Sequence, residues 1–95
     1  MITTSRYSSR KTREFAKLLS RKLDTFYVAR GKKTIEDIVL YGRKEGESEV
    51  RVIEEEKGIP AYISTIEISE TGKWKWAKRV SVEEYEIEIR KHHKR

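Results

Sequence analysis

Two glycine-bearing turns, Lys57-Gly58-Ile59-Pro60 and Glu70-Thr71-Gly72-Lys73, cut the stretch from Glu49 to Val82 into runs too short for stable helices and patterned for strands. Such a chain has to build a sheet. Glu49 to Glu55 interleaves Val50 and Val52 with Arg51, Ile53 continues the run, and the glutamates at 54 to 56 close it. Pro60 puts the start of the next strand at Ala61, and Ala61 to Ser69 reads as the partner in a hairpin, with Ile66 and Ile68 on one parity and Ile63 on the other. Trp74 and Trp76 then share a face, leaving Lys73, Lys75 and Arg79 to point elsewhere. Val80 and Val82 keep the even parity, whereas Tyr85, Ile87 and Ile89 are odd. A period of two cannot change faces without an extra residue, so the shift between Val82 and Tyr85 demands a bulge or a break.

The first half of the chain alternates instead. Met1 to Thr4 allows only a short strand, and Ser8 or Ser9 is a good N-cap for the helix that follows. Phe15, Leu18, Leu19 and Leu23 give that helix a buried stripe ending near Leu23, while Arg10, Arg13, Lys17, Arg21 and Lys22 make its other faces basic. Asp24-Thr25 breaks it. Phe26 to Ala29 is aromatic and β-branched and reads as a second strand. After the turn Arg30-Gly31-Lys32-Lys33, Thr34-Ile35-Glu36-Asp37 starts a second helix in capping-box style, with Ile35, Ile38 and Val39 as its stripe and Gly42 or Gly46 as its end. The expected fold class is α/β (α+β): a single mixed sheet of about five strands with two helices, in the order β-α-β-α-β-β-β. Residues 1–90 make one domain and 91–95 a basic tail.

Composition narrows the class. At 95 residues and 36% apolar content, one exposed two-layer domain is what the chain can stabilise. No run approaches a membrane span and the N-terminus lacks the apolar core of a secretory signal, so a soluble, cytoplasmic protein is expected, without membrane partners. There is no cysteine, hence no disulfide or thiolate metal site. Asn and Gln are absent while charged residues make up 40%, which is the hyperthermophile pattern.

The net charge of +6 is segregated. Residues 1–44 carry twelve Lys/Arg against four Asp/Glu, residues 45–72 two against eight, and residues 73–95 eight against four. A polyanion is drawn to the ends and repelled from the middle. If the strands flanking the first helix lie in one sheet, they are parallel and their carboxyl ends share one edge. The loop from Ser5 to Arg10 then sits beside the loop from Arg30 to Lys33, and open α/β sheets bind ligands at such an edge. Seven cations converge there: Arg6, Arg10, Lys11, Arg13, Arg30, Lys32 and Lys33. Helix N-termini at the same edge favour anions. A mononucleotide cradle needs glycines that the first loop lacks. An RNA backbone fits better, taking separated Arg and Lys contacts and the hydroxyls of Ser8 and Ser9, with Tyr7 and Tyr27 available to stack on bases.

Other features argue less. His92-His93 has no carboxylate or cysteine at ligand spacing, so no metal is expected, and no cofactor either. Glu54-Glu55-Glu56 reads as a strand end in solvent rather than a catalytic or cation-binding cluster. Trp74 and Trp76 read as core or interface rather than a base-stacking platform. No histidine stands near Ser5, Ser8 or Ser9 to serve as a base, so no catalytic residue is assigned and the chain is read as no enzyme.

Thr3-Thr4-Ser5-Arg6, then Ser8-Ser9-Arg10 and Phe15, then Ala29-Arg30-Gly31 with Ile35-Glu36-Asp37-Ile38, then Gly58-Ile59-Pro60, resembles in order and spacing the N-terminal half of a Brix domain of archaeal type. The resemblance covers residues 1 to about 69. It implies a half-Brix fold like the anticodon-binding domains of aminoacyl-tRNA synthetases, and a role in ribosome biogenesis with ribosomal RNA or pre-ribosomal particles as partners. It also implies that Arg6, Ser8, Arg10, Arg30 and Gly31 face RNA. Because the second half is missing, a monomer, a homodimer that rebuilds the two-half surface, and a small resident of the ribosome contacting ribosomal proteins all stay open. So does an interaction module that dimerises or docks a ribonucleoprotein partner through its C-terminal strands.

Overall fold

The computed structural model describes residues 1–86. Its elements are β1 (Ile2–Thr4), α1 (Arg10–Lys22), α2 (Ile35–Lys44), β2 (Glu49–Glu56), β3 (Ile59–Ile68) and β4 (Trp74–Ser81), and residues 82–86 are helical. The strands form one mixed sheet in the order β1-β2-β3-β4, β1 and β2 parallel, the other pairs antiparallel. The mixed α/β class is the expected one, but the sheet has four strands. Phe26 to Ala29 contributes a single parallel bridge, Ile2 to Tyr27, through bonds from Ile2 N–H to Phe26 O and from Val28 N–H to Ile2 O, both 2.9 Å. β1 is three residues long, and beyond that rung the Thr3 hydroxyl donates to Val28 O at 2.7 Å.

Both helices begin where their caps predict. Ser9 caps α1, its hydroxyl accepting from Thr12 N–H, and Leu23 is the C-cap. Thr34 and Asp37 form the expected capping box on α2. The buried stripe of α1 runs through Thr12, Ala16, Leu19 and Ser20, and Leu18 is 48% exposed, contrary to expectation, because it stands two positions from Ala16 and so on another face. Of the two glycines expected to end α2, Gly46 does so, just past the C-cap Glu45 with φ of 78°, and Gly42 does not. Gly42 lies inside the helix and is buried, where an added Cβ would stand 3.4 Å from Val50, 3.5 Å from Met1 and 3.6 Å from Ile68. At those distances a methyl would make ordinary contacts, with little room beyond it.

Strand parity divides the core. Met1, Val50, Val52, Ile66 and Ile68 pack with Ile38 and Val39 of α2, whereas Ile2, Ile53 and Ile63 pack with Ala16 and Leu19 of α1. Neighbours along a strand face opposite ways. The helices therefore cover opposite faces, and the expected two-layer arrangement gives way to helix, sheet, helix.

Two irregularities correct the strand reading. Glu54 pairs with Tyr62 and Glu55 with Pro60, so Ala61 is an extra residue, and Pro60 sits inside β3 at a bulge, where the ladder tolerates its missing N–H. Lys57 and Gly58 make the turn, with φ of 52° and 78°, the left-handed pair of a type I′ hairpin. On the other side Thr65 pairs with Lys78 and Ile66 with Trp76, leaving Ala77 extra. Trp74 and Trp76 thus face α2, while Val80, opposite Ile63, faces α1, although all three are even. The strand expected through Tyr85 is replaced by helix: Val82 and Tyr85, three apart, both pack against the α1-side cluster. Ile87, Ile89 and the tail 91–95 lie outside the described residues.

The close seat of α2 gives a size-dependent expectation. Gly42→Val should lower stability by about 1–3 kcal/mol through overpacking, whereas Gly42→Ala should be near neutral, its methyl contact offset by a helix propensity gain of up to ~1 kcal/mol. Thermal melts of the two variants decide, and equal melting temperatures would remove the close-packing account.

Candidate functional site

β1 has a parallel neighbour on each side, Tyr27 and β2, so three chain segments run toward one end of the sheet. The first loop leaves there after Thr4, the second after Ala29, and β2 ends there at Glu56. The two basic loops are therefore adjacent, as the parallel-strand argument requires. Arg30 joins them: its Nη1 donates to Thr4 O at 2.9 Å and its Nε to Lys33 O at 2.6 Å. The residue is 6% exposed. No carboxylate of the described residues forms an ion pair with it. Burial first, and then the charge of Arg6, lowers its pKa.

Between the loops lies a cleft of about 400 Å³ lined by Thr4, Ser5, Tyr7, Ser8, Arg13, Tyr27, Ala29, Arg30, Gly31 and Lys32. Of the ten residues assigned from sequence, Ser8, Arg13, Arg30, Gly31 and Lys32 line it. Ser8 Oγ is 2.9 Å from Thr4 Oγ1, and Arg13 donates to Ser8 O, which braces the first loop from α1. Gly31 has φ of +53° with open space around it, so its role is to let the second loop turn. Arg6 reaches the rim indirectly, its guanidinium 5.5 Å from the centroid of the Tyr7 ring. Ser9, Arg10, Lys11 and Lys33 do not line the cleft. Arg10 pairs with Glu14 at 3.2 Å and Lys33 Nζ donates to Ala29 O at 3.2 Å. Arg10 is the only one of the seven converging cations in an ion pair among the described residues. Tyr27 is half-buried: burial raises its pKa against the opposing charge of Arg13, and Lys17 Nζ stands 5.7 Å from its ring centroid.

The helix N-termini play a different part from the one expected. Glu55 occupies the start of α1, accepting from Ser9 N–H at 2.9 Å and from the Thr12 hydroxyl at 2.6 Å, while Ser9 Oγ donates to Gly58 O at 2.8 Å. Asp37 caps α2 in the same way, accepting from Thr34 N–H at 3.0 Å. Both ends are served by the chain's own carboxylates, which leaves anion attraction to the Arg and Lys side chains. Glu55 is the residue that sequence reading missed. It lies 46 positions from Ser9, and only the parallel register, Thr4 beside Ile53, carries the end of β2 to this place.

Bonds from Thr12 first, then from Ser9 N–H, hold the Glu55 carboxyl below its ordinary 4.5. A depressed folded pKa contributes stability that is complete above the unfolded value and is lost as pH falls through 4.5 toward the folded value. Denaturant melts between pH 6 and pH 3 should show that loss, and Glu55→Gln should reduce the slope in this window; an unchanged slope would deny Glu55 the role.

No established family profile matches the sequence. A curated relative from Archaeoglobus fulgidus, named a probable Brix domain-containing ribosomal biogenesis protein, is 40% identical over 70 residues, 74% of this chain and 42% of the relative. A protein of the same name from Methanothermobacter thermautotrophicus is 36% identical over 67 residues, 70% of this chain and 41% of its own length. Among solved structures, a probable ribosomal biogenesis protein from Aeropyrum pernix aligns with a TM-score of 0.79 at 26% identity, over 85% of this chain and 46% of that one. Mil, an archaeal Imp4-like protein, aligns with a TM-score of 0.64 at 36% identity, over 77% of this chain and 45% of that one. In sequence and in fold the chain is similar to archaeal Brix-domain ribosome-biogenesis proteins, of whose length it spans less than half.

Proposed function

We propose that this protein acts in ribosome biogenesis by binding ribosomal RNA, holding backbone phosphates at the edge where the two basic loops meet. Arg30 carries the reading. This residue, 6% exposed and with no carboxylate of the described residues paired to it, lies in the wall of a cleft flanked by Arg13 and Lys32. A buried cation without a counter-charge is costly, and an incoming phosphate offsets that cost. Arg30 thus serves twice, as the strut that aligns the loops and as part of the field that draws the ligand. The residues taken to grip phosphate are Arg6, Arg13 and Lys32, with Arg10, Lys11 and Lys33 extending the basic edge. The names of the similar proteins support the ribosomal setting. The same reading takes residues 1–90 as a half-Brix domain that works in the cytoplasm on pre-ribosomal particles, in a binding rather than a catalytic role.

A second reading, docking of a ribonucleoprotein partner or a second copy through the C-terminal strands, has one observation in its favour: Trp76 is 48% exposed on β4.

Filter binding of a ribosomal RNA fragment across a salt series tests the first reading. The logarithm of affinity should fall steeply with the logarithm of salt. The triple change Arg6→Ala, Arg13→Ala and Lys32→Ala should flatten the slope by roughly 0.7–0.9 per lost phosphate contact. Circular dichroism checks that the fold is kept. A slope that the triple variant leaves unchanged places the RNA elsewhere, and Trp76→Ala should then be the variant that weakens association.

A further inference from the structure

Charge explains attraction to a phosphate backbone, but it does not explain Tyr7. This residue is 78% exposed, lines the cleft, and stands at φ of +57°, a left-handed conformation that a bulky side chain adopts at a cost. Arg6 lies against its ring at 5.5 Å from the centroid, which steadies the ring and adds a cation to the stack. Beside it, the cleft's volume of about 400 Å³ falls within the range of small-ligand sites. Its walls combine an aromatic ring, Tyr27, with the cations Arg13, Arg30 and Lys32.

An exposed ring beside a cationic hollow is the arrangement that takes an unpaired base together with its flanking phosphates. Bases in an A-form duplex are stacked and cannot be splayed onto a side chain, whereas loops, bulges and single strands offer them freely. Resting on the RNA-binding reading above, we infer that the site selects single-stranded RNA, with Tyr7 stacking on one unpaired base at the mouth of the cleft while Arg13 and Lys32 hold phosphate. Tyr7 is then the specificity-determining residue, and the cations supply affinity that is indifferent to strandedness.

Fluorescence anisotropy with end-labelled RNA tests this on the full chain. The probes are a 12-nucleotide single strand and the same sequence annealed to its complement, at one fixed salt concentration. Tyr7→Asn removes the ring with a residue that tolerates the left-handed backbone, and Tyr7→Phe keeps the ring and loses only the hydroxyl. The wild type should prefer the single strand. Tyr7→Asn should weaken single-strand binding by about 5- to 160-fold, the range of one base–aromatic stack, and leave duplex binding unchanged. Tyr7→Phe should bind as the wild type does. Equal wild-type affinity for strand and duplex, or a Tyr7→Asn variant that binds the strand undiminished, overturns the inference and leaves the phosphate-gripping edge standing. Failure of the wild type to bind either probe overturns the RNA-binding reading and this inference with it.

Discussion

A three-residue strand, β1, holds the site in place. Its position between β2 and the Tyr27 bridge makes three segments parallel, and parallel neighbours must deliver their outgoing loops to the same end of the sheet. The strand is fully buried, and its two threonines are buried polar residues whose groups are spent on cross-links: Thr3 Oγ1 to Val28 O, Thr4 Oγ1 to Ser8 Oγ, and Thr4 O to Arg30. Buried polar groups are tolerable only when bonded in this way. The same bonds that satisfy them tie each basic loop to β1.

The acidic middle of the chain has a structural purpose at this edge. Glu55 sits at the start of α1, so one of the strongest local anion sites is taken by an internal carboxylate rather than left for a ligand. Glu54 is engaged as well, pairing with Arg79 at 2.9 Å, while the Arg79 guanidinium lies 3.8 Å from the centroid of the Tyr62 ring. The run of three glutamates, read as a solvated strand end, therefore serves partly as internal wiring. Segregation of charge along the sequence becomes, in three dimensions, an acidic strand end laid against a basic loop, with the unpaired cations Arg6, Lys11, Arg13, Lys32 and Lys33 exposed and Arg30 buried between the loops.

Much of the fold was legible because its signals are local. Ser9, Thr34 and Asp37 announce their helices within one turn of chain, and the glycines at 58 and 72 announce theirs within a hairpin. The adjacency of the two loops was also legible, since it follows from strand order alone. What escaped depends on register or on packing between distant segments. Ala61 and Ala77 look like ordinary strand residues, and only their partners show that each is surplus. Gly42 resembles a helix stop until the side chains of Met1, Val50 and Ile68 are seen to close in around it, at the contact distance of a methyl. Arg30 looks like one cation among seven, and its burial depends on where Thr4 and Lys33 bring their carbonyls.

The extra residue at Ala77 has a consequence for the margin of the sheet. β4 ends the order of the described strands on one side, and an outer strand that is flat, long and apolar recruits other strands into aggregates. A bulge in its middle breaks the regular spacing of its outward N–H and C=O groups, and Lys73, Lys75 and Lys78 put positive charge along the same margin. The alanine and the three lysines thus make this margin, tryptophans included, a poor template for a further strand.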